Sequence, residues 1–117
     1  MRLLVNVATG PENPTRAALG LLVARTAAEA GHEVSVFLAG DAVQLARPET
    51  AEAAHGIGTG SVAEHWLALE AAGVPVFLSG LSSKARGIEQ ETRSGVELTT
   101  PARLVELTAW ADSALVY

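Results

Sequence analysis

The sequence has no cysteine, which excludes disulfides, thiolate metal sites and cysteine nucleophiles together but does not by itself fix the compartment. Aromatic residues are scarce at 4%. Much of the apolar content is alanine, so close helix–sheet packing is expected in place of an aromatic core. Cations are few, eight against 13 acidic residues for a formal charge of −5. That balance argues against sequence-independent nucleic-acid binding, which needs clustered Lys and Arg to displace counterions. No apolar run approaches the roughly 20 residues of a membrane span. The N-terminal apolar run breaks at Asn6 and turns at Gly10-Pro11, so no signal peptide is expected. A soluble, cytoplasmic protein is the resulting expectation.

What is present indicates a folded domain. The chain is 49% hydrophobic and 18% charged, a composition that favours a packed core over disorder. Its 117 residues fit a single domain, 1–117, that buries about two-thirds of the surface of the unfolded chain.

The elements alternate. RLLVNVAT (2–9) reads as a strand buried on both faces, and Asn13-Pro14 as an N-cap followed by proline at the first helical position. Leu19, Leu22, Val23, Thr26, Ala27 and Ala30 recur at helical spacing up to the stop at Gly31. EVSVFLA (33–39) is a second strand, and 40–47 a short helix before Pro48. The stretch from Pro48 to Gly60 is expected to be one long irregular connection. Ser61 and Glu64 form an S-x-x-E capping pattern for a helix to Gly73. Val74 to Leu78 is a third strand, followed by a basic turn and a short helix ending near Gly87. GVEL (95–98) is a weak strand, Thr100-Pro101 caps a helix over 101–111, and ALVY (114–117) is a last strand. This order predicts an α/β fold, a three-layer α/β/α sandwich with a mainly parallel sheet of about five strands.

In such sheets ligands bind outside the carboxyl ends of the strands. Those ends are ATGPEN (8–13), AGDAV (39–43), SGLSSK (79–84) and LTTPA (98–102). The candidate ligand-binding residues are therefore Thr9, Gly10, Asn13, Asp41, Ser79, Gly80, Ser82, Ser83, Lys84 and Arg86. Helix starts there offer free N–H groups to an anion, although turns and caps use the same residue types. Arg86 has two readings, an anion contact or a partner of a nearby carboxylate, and Lys84 is either an anion contact or a solvated surface residue. GIGTGS (56–61) is glycine-rich but follows a loop, so it is expected to be a flexible surface loop. His32, His55 and His65 are expected at the surface. The ten-residue spacing of the last two, with no matched carboxylate, is not a zinc motif. Neither a cofactor nor a metal is implied. Trp66 and Trp110, on helix faces, read as core or subunit contacts.

Across almost the whole chain this order of elements resembles the DsrE/DsrF-like sulfur-relay family. The most specific stretch is LEAAGVPVFLSGLSSKARGI, where Gly73-Val74, a short apolar strand and Arg86-Gly87 match the family pattern. The ending GVELTTPARLVELTAWADSALVY matches as well. The resemblance places Ser79 where sulfur-carrying members have their persulfide-bearing cysteine, and Ser82 where some relatives have a second one. A thiolate carries sulfane sulfur, and a serine hydroxyl, un-ionised at neutral pH, cannot. Persulfide transfer is therefore not expected of this chain, and no catalytic residue is assigned. The family also implies ring-like trimers or hexamers. Three functions follow as expectations. The first is a small-anion or metabolite-binding or regulatory module in a homo-oligomer. The second is a non-catalytic structural subunit of a sulfur-relay-type hetero-oligomer, and the third a hydrolase-like enzyme using Ser or His in the same pocket.

Overall fold

The computed structural model describes residues 1–89, 93 and 95–117. Strand β1 (Arg2–Val7) leads to helix α1 (Pro14–Glu29) and strand β2 (Glu33–Leu38), then to a 3-10 segment (Gly40–Ala46) and helix α2 (Pro48–Ala53). A two-stranded antiparallel hairpin, β3 (His55–Gly56) and β4 (Gly60–Ser61), precedes helix α3 (Val62–Ala71). Strand β5 (Val76–Ser79), helix α4 (Gly80–Ala85), strand β6 (Val96–Thr99), helix α5 (Pro101–Trp110) and strand β7 (Ser113–Val116) complete the chain.

The main sheet has five strands in the order β6-β5-β2-β1-β7, and all four pairings are parallel. It is the parallel α/β sheet expected from the alternation of elements. Alternation along β1 divides its side chains between the two faces. Leu3, Val5 and Val7 join Val34, Val36, Leu38, Val76 and Leu78 beneath α1, α3 and the 3-10 segment. Leu4 joins Phe37 and Phe77 beneath Leu104 and Leu107 of α5. One face of the sheet thus lies under several helices, and the other under the ten-residue α5. Trp66, 1% exposed, is the largest fully buried side chain, and the Arg93 guanidinium lies 4.5 Å over its ring.

The helix starts follow the sequence. Asn13 Oδ1 accepts from Arg16 N–H at 3.2 Å, and Ser61 Oγ from Glu64 N–H at 3.3 Å. Thr100 holds the N-cap position of α5 but makes no side-chain cap bond.

Two expectations fail. Residues 48–60 are not one irregular connection, because Pro48 opens α2 and GIGTGS belongs to the hairpin. Thr59 Oγ1 donates to Thr15 O at 2.9 Å, and Thr15 Oγ1 accepts from Ile57 N–H at 3.0 Å. His65 is not at the surface. It is 5% exposed, with Nε2 2.7 Å from Thr59 O and Nδ1 3.5 Å from Arg25 Nη1. The hairpin and the burial of His65 share a cause, since Thr15 and Arg25, which bond to them, lie on α1 some 40 residues away along the chain.

Candidate functional site at the carboxyl edge of the sheet

The connections after β1, β2 and β5 run over the face that carries α1 and α3, while the one after β6 crosses to the α5 face. Neighbouring strands whose connections leave to opposite faces open a crevice at their carboxyl ends, the usual ligand position in open parallel sheets. Here those strands are β5 and β6, and the residue at the β5 end is Ser79.

Ser79 closes β5 and caps α4. It is 9% exposed, and its Oγ accepts from Ser82 N–H at 3.3 Å. Ser82 Oγ in turn accepts from Gly40 N–H at 2.9 Å, tying α4 to the end of β2. Arg86 donates from Nη1 to Ser82 O and from Nη2 to Asp41 Oδ1, both at 3.0 Å. Its own carbonyl accepts from Arg47 Nη2 at 2.6 Å. The β1 loop closes on the same cluster, because a Cβ at Gly10 would lie 2.1 Å from the Asp41 carbonyl oxygen. Only glycine permits that approach. Gly80 is less tight, its Cβ position 3.1 Å from Thr99 O. Gly10 N–H donates to Glu12 Oε1 at 2.8 Å.

Of the ten residues read from the sequence, Gly10, Asp41, Ser79, Gly80, Ser82 and Arg86 are therefore linked in one cluster. Thr9 is half-buried beside Gly10, and Asn13 is occupied as the cap of α1. Lys84, the only lysine in the sequence, is exposed in the last turn of α4. Ser83 is fully buried, and its Oγ has no hydrogen-bond partner among the described residues. Arg86 takes the carboxylate partner, with Asp41. That ion pair is half-exposed, so it contributes at most about 1 kcal/mol. Sequence reading missed Arg47, Glu12 and Gly40. Glu12 carried a local signal, an acid two residues from a loop N–H, whereas Arg47 finds its acceptor 39 residues away.

The chemistry available to this cluster is narrow. A nucleophilic serine needs a base within hydrogen-bond reach. The Ser79 hydroxyl oxygen is instead the acceptor of a helix cap, and its one described hydrogen bond is to backbone. His32 Nδ1 is 2.9 Å from the N-terminal amine, His65 is held between Thr59 and Arg25, and His55 is exposed in the hairpin. Among the described residues, no three His, Asp or Glu side chains are grouped to hold a metal ion. No helix among them is long and apolar enough to cross a membrane.

A five-stranded parallel α/β domain with a serine-capped strand-to-helix junction at its switch point is the class that this geometry defines. The sequence profile of the DsrE/DsrF-like family matches residues 1–117, and the chain belongs to that family as a member without cysteine. Among solved structures it is similar to the crystal structure of the YchN protein from E. coli. The TM-score is 0.82 at 27% identity over the full length of both chains. No curated protein matches the chain.

Proposed function

We propose that this chain is a non-catalytic DsrE-like domain that acts by assembling, with the carboxyl-edge crevice serving as a rigid frame. The observation that carries the reading is that this crevice is closed on itself. Most of the polar groups that would receive a ligand already hold one another: Ser79 with Ser82, Ser82 with Gly40, Arg86 with Asp41, and Gly10 with Glu12, while the unpartnered Ser83 Oγ is fully buried. A buried donor with a well-placed internal partner gains little from exchanging it for a solvated anion. The loss of the thiol removes the family's reactive atom.

A module that binds a small anion at the same crevice is the competing reading. It draws on Lys84, exposed beside the α4 turn in a chain with few cations. Binding there requires the internal bonds to open. Native mass spectrometry of the purified protein, under gentle and then denaturing conditions, separates the two. A symmetric oligomer without a releasable small mass is the expected result. An oligomer that releases a small mass on denaturation favours the anion module, and a bare monomer removes the assembly reading.

A further inference from the structure

Independently of assembly, we infer that the sheet face under α5 holds, toward the amino ends of its strands, a site for a small organic ammonium, with Glu33 as the counter-charge. Alternation along β2 puts Glu33, Ser35 and Phe37 on that face. Phe37 fills the space beneath α5, but Ser35, two residues earlier, is small and leaves room. Two cavities result, of about 350 and 340 Å³, and Glu33, Ser35 and Trp110 line both. Each has the size of a small-molecule site. Phe77 and Leu107 give the first an apolar floor, while Val74 and Pro75 wall the second.

Two polar groups shared by the cavities lack partners. Ser35 is 5% exposed, and among the described residues its hydroxyl makes no hydrogen bond. Unlike Ser83 Oγ it is not sealed from solvent, so it opens into the cavities that it lines. A hydroxyl this nearly buried is normally bonded. The Glu33 carboxylate, exposed at the cavity mouth, forms no ion pair among the described residues.

Charge identifies the occupant as a cation, because the other charged groups around the cavities are engaged. Arg103 lies 3.6 Å from Glu106 and 5.2 Å over the Phe77 ring. Arg2, opposite Glu33 in the sheet register, turns instead to Asp112 and lies 5.9 Å from the Trp110 ring. The Met1 amine is held by His32 Nδ1 at 2.9 Å. Glu33 is the carboxylate left over, in a chain of charge −5. An ammonium group uses all three shared residues. It donates to Glu33 and to Ser35 Oγ, and the Trp110 ring attracts its charge. An apolar stem on that ammonium lies against Phe77 and Leu107, which are 6% and 8% exposed.

Amide NMR titration of the wild-type protein with phenethylamine, protonated at neutral pH, tests the site against the uncharged phenethyl alcohol. The expected result is a saturable shift of the Glu33 and Ser35 amides and the Trp110 indole N–H at millimolar amine. The alcohol binds at least about tenfold more weakly, the value of one charge-assisted hydrogen bond. Glu33→Gln removes that preference and leaves the affinity for the alcohol as it was, a split that a folding defect cannot imitate. Equal affinity for amine and alcohol in wild type overturns the ammonium site. So does the absence of a saturable shift, or one confined to Trp66 and Glu70. The wild-type comparison decides the point even if Glu33→Gln does not fold, and the assembly reading stands under every outcome.

Discussion

At the carboxyl edge, Ser79, Ser82, Asp41 and Arg86 each have an internal hydrogen-bond partner. Along the β7 flank, Leu19, Leu115, Val116 and Ile57 are apolar and exposed. The two regions invert what each composition leads one to expect. Polar groups at a strand end are normally left free for a ligand, and apolar side chains are normally covered, singly scattered ones aside. In this chain Ser79, Ser82, Asp41 and Arg86 are bonded within the chain, and the apolar side chains are left exposed. The exposed apolar side chains thus lie at the side of the sheet, away from Ser79.

The largest expected effect on this contrast comes from breaking the crevice at its backbone contact. Gly10→Ala drives a methyl group into the Asp41 carbonyl, and overpacking of this kind costs about 1–3 kcal/mol. Chemical denaturation should show that loss. A variant as stable as wild type would mean that the loops over the crevice are not locked together. Ser79→Ala removes the acceptor for Ser82 N–H and should cost about 1 kcal/mol, the usual value of an N-cap. Ser79→Cys is expected to fold and to take up sulfur from a low-molecular-weight persulfide, while wild type takes up none. Uptake by wild type would refute a silent crevice. The smallest effect concerns Asp112, exposed just before β7. Its pKa lies below the ordinary 3.8, chiefly because the Arg2 backbone N–H donates to its carboxylate. The stability gained is complete above the ordinary value and disappears as pH falls through the lower, folded value. Thermal unfolding of Asp112→Asn should show a small loss of stability at neutral pH that shrinks toward nothing as pH falls into the acid range. A loss that does not shrink toward acid pH would sever Asp112 from this gain.

Legibility follows from how local each signal was. The five main strands are short apolar runs, and each is found within two residues of its expected position. Ser79 was readable as the strand-to-helix junction because an apolar strand runs directly into a serine and a glycine. What its hydroxyl does was not readable, since capping Ser82 and leaving a nucleophile free use the same residue. The hairpin over 55–61 was missed because its bonds come from Thr15 and His65, and α2 because Pro48 was taken as a break when it is a first helical residue. That Arg86 would meet a carboxylate was one of two readings. Its identity as Asp41, 45 residues away, depends on the parallel register of β2 and β5.

The most direct test of a closed crevice is an amide NMR titration of the wild-type protein with phosphate, sulfate and thiosulfate, following Gly10, Gly40 and Ser82. The expected result is that none of the three resonances moves in a saturable way with any of these anions. A saturable shift shared by the three amides would contradict it, because the internal bonds from Glu12, Ser82 and Ser79 would then be giving way to a ligand.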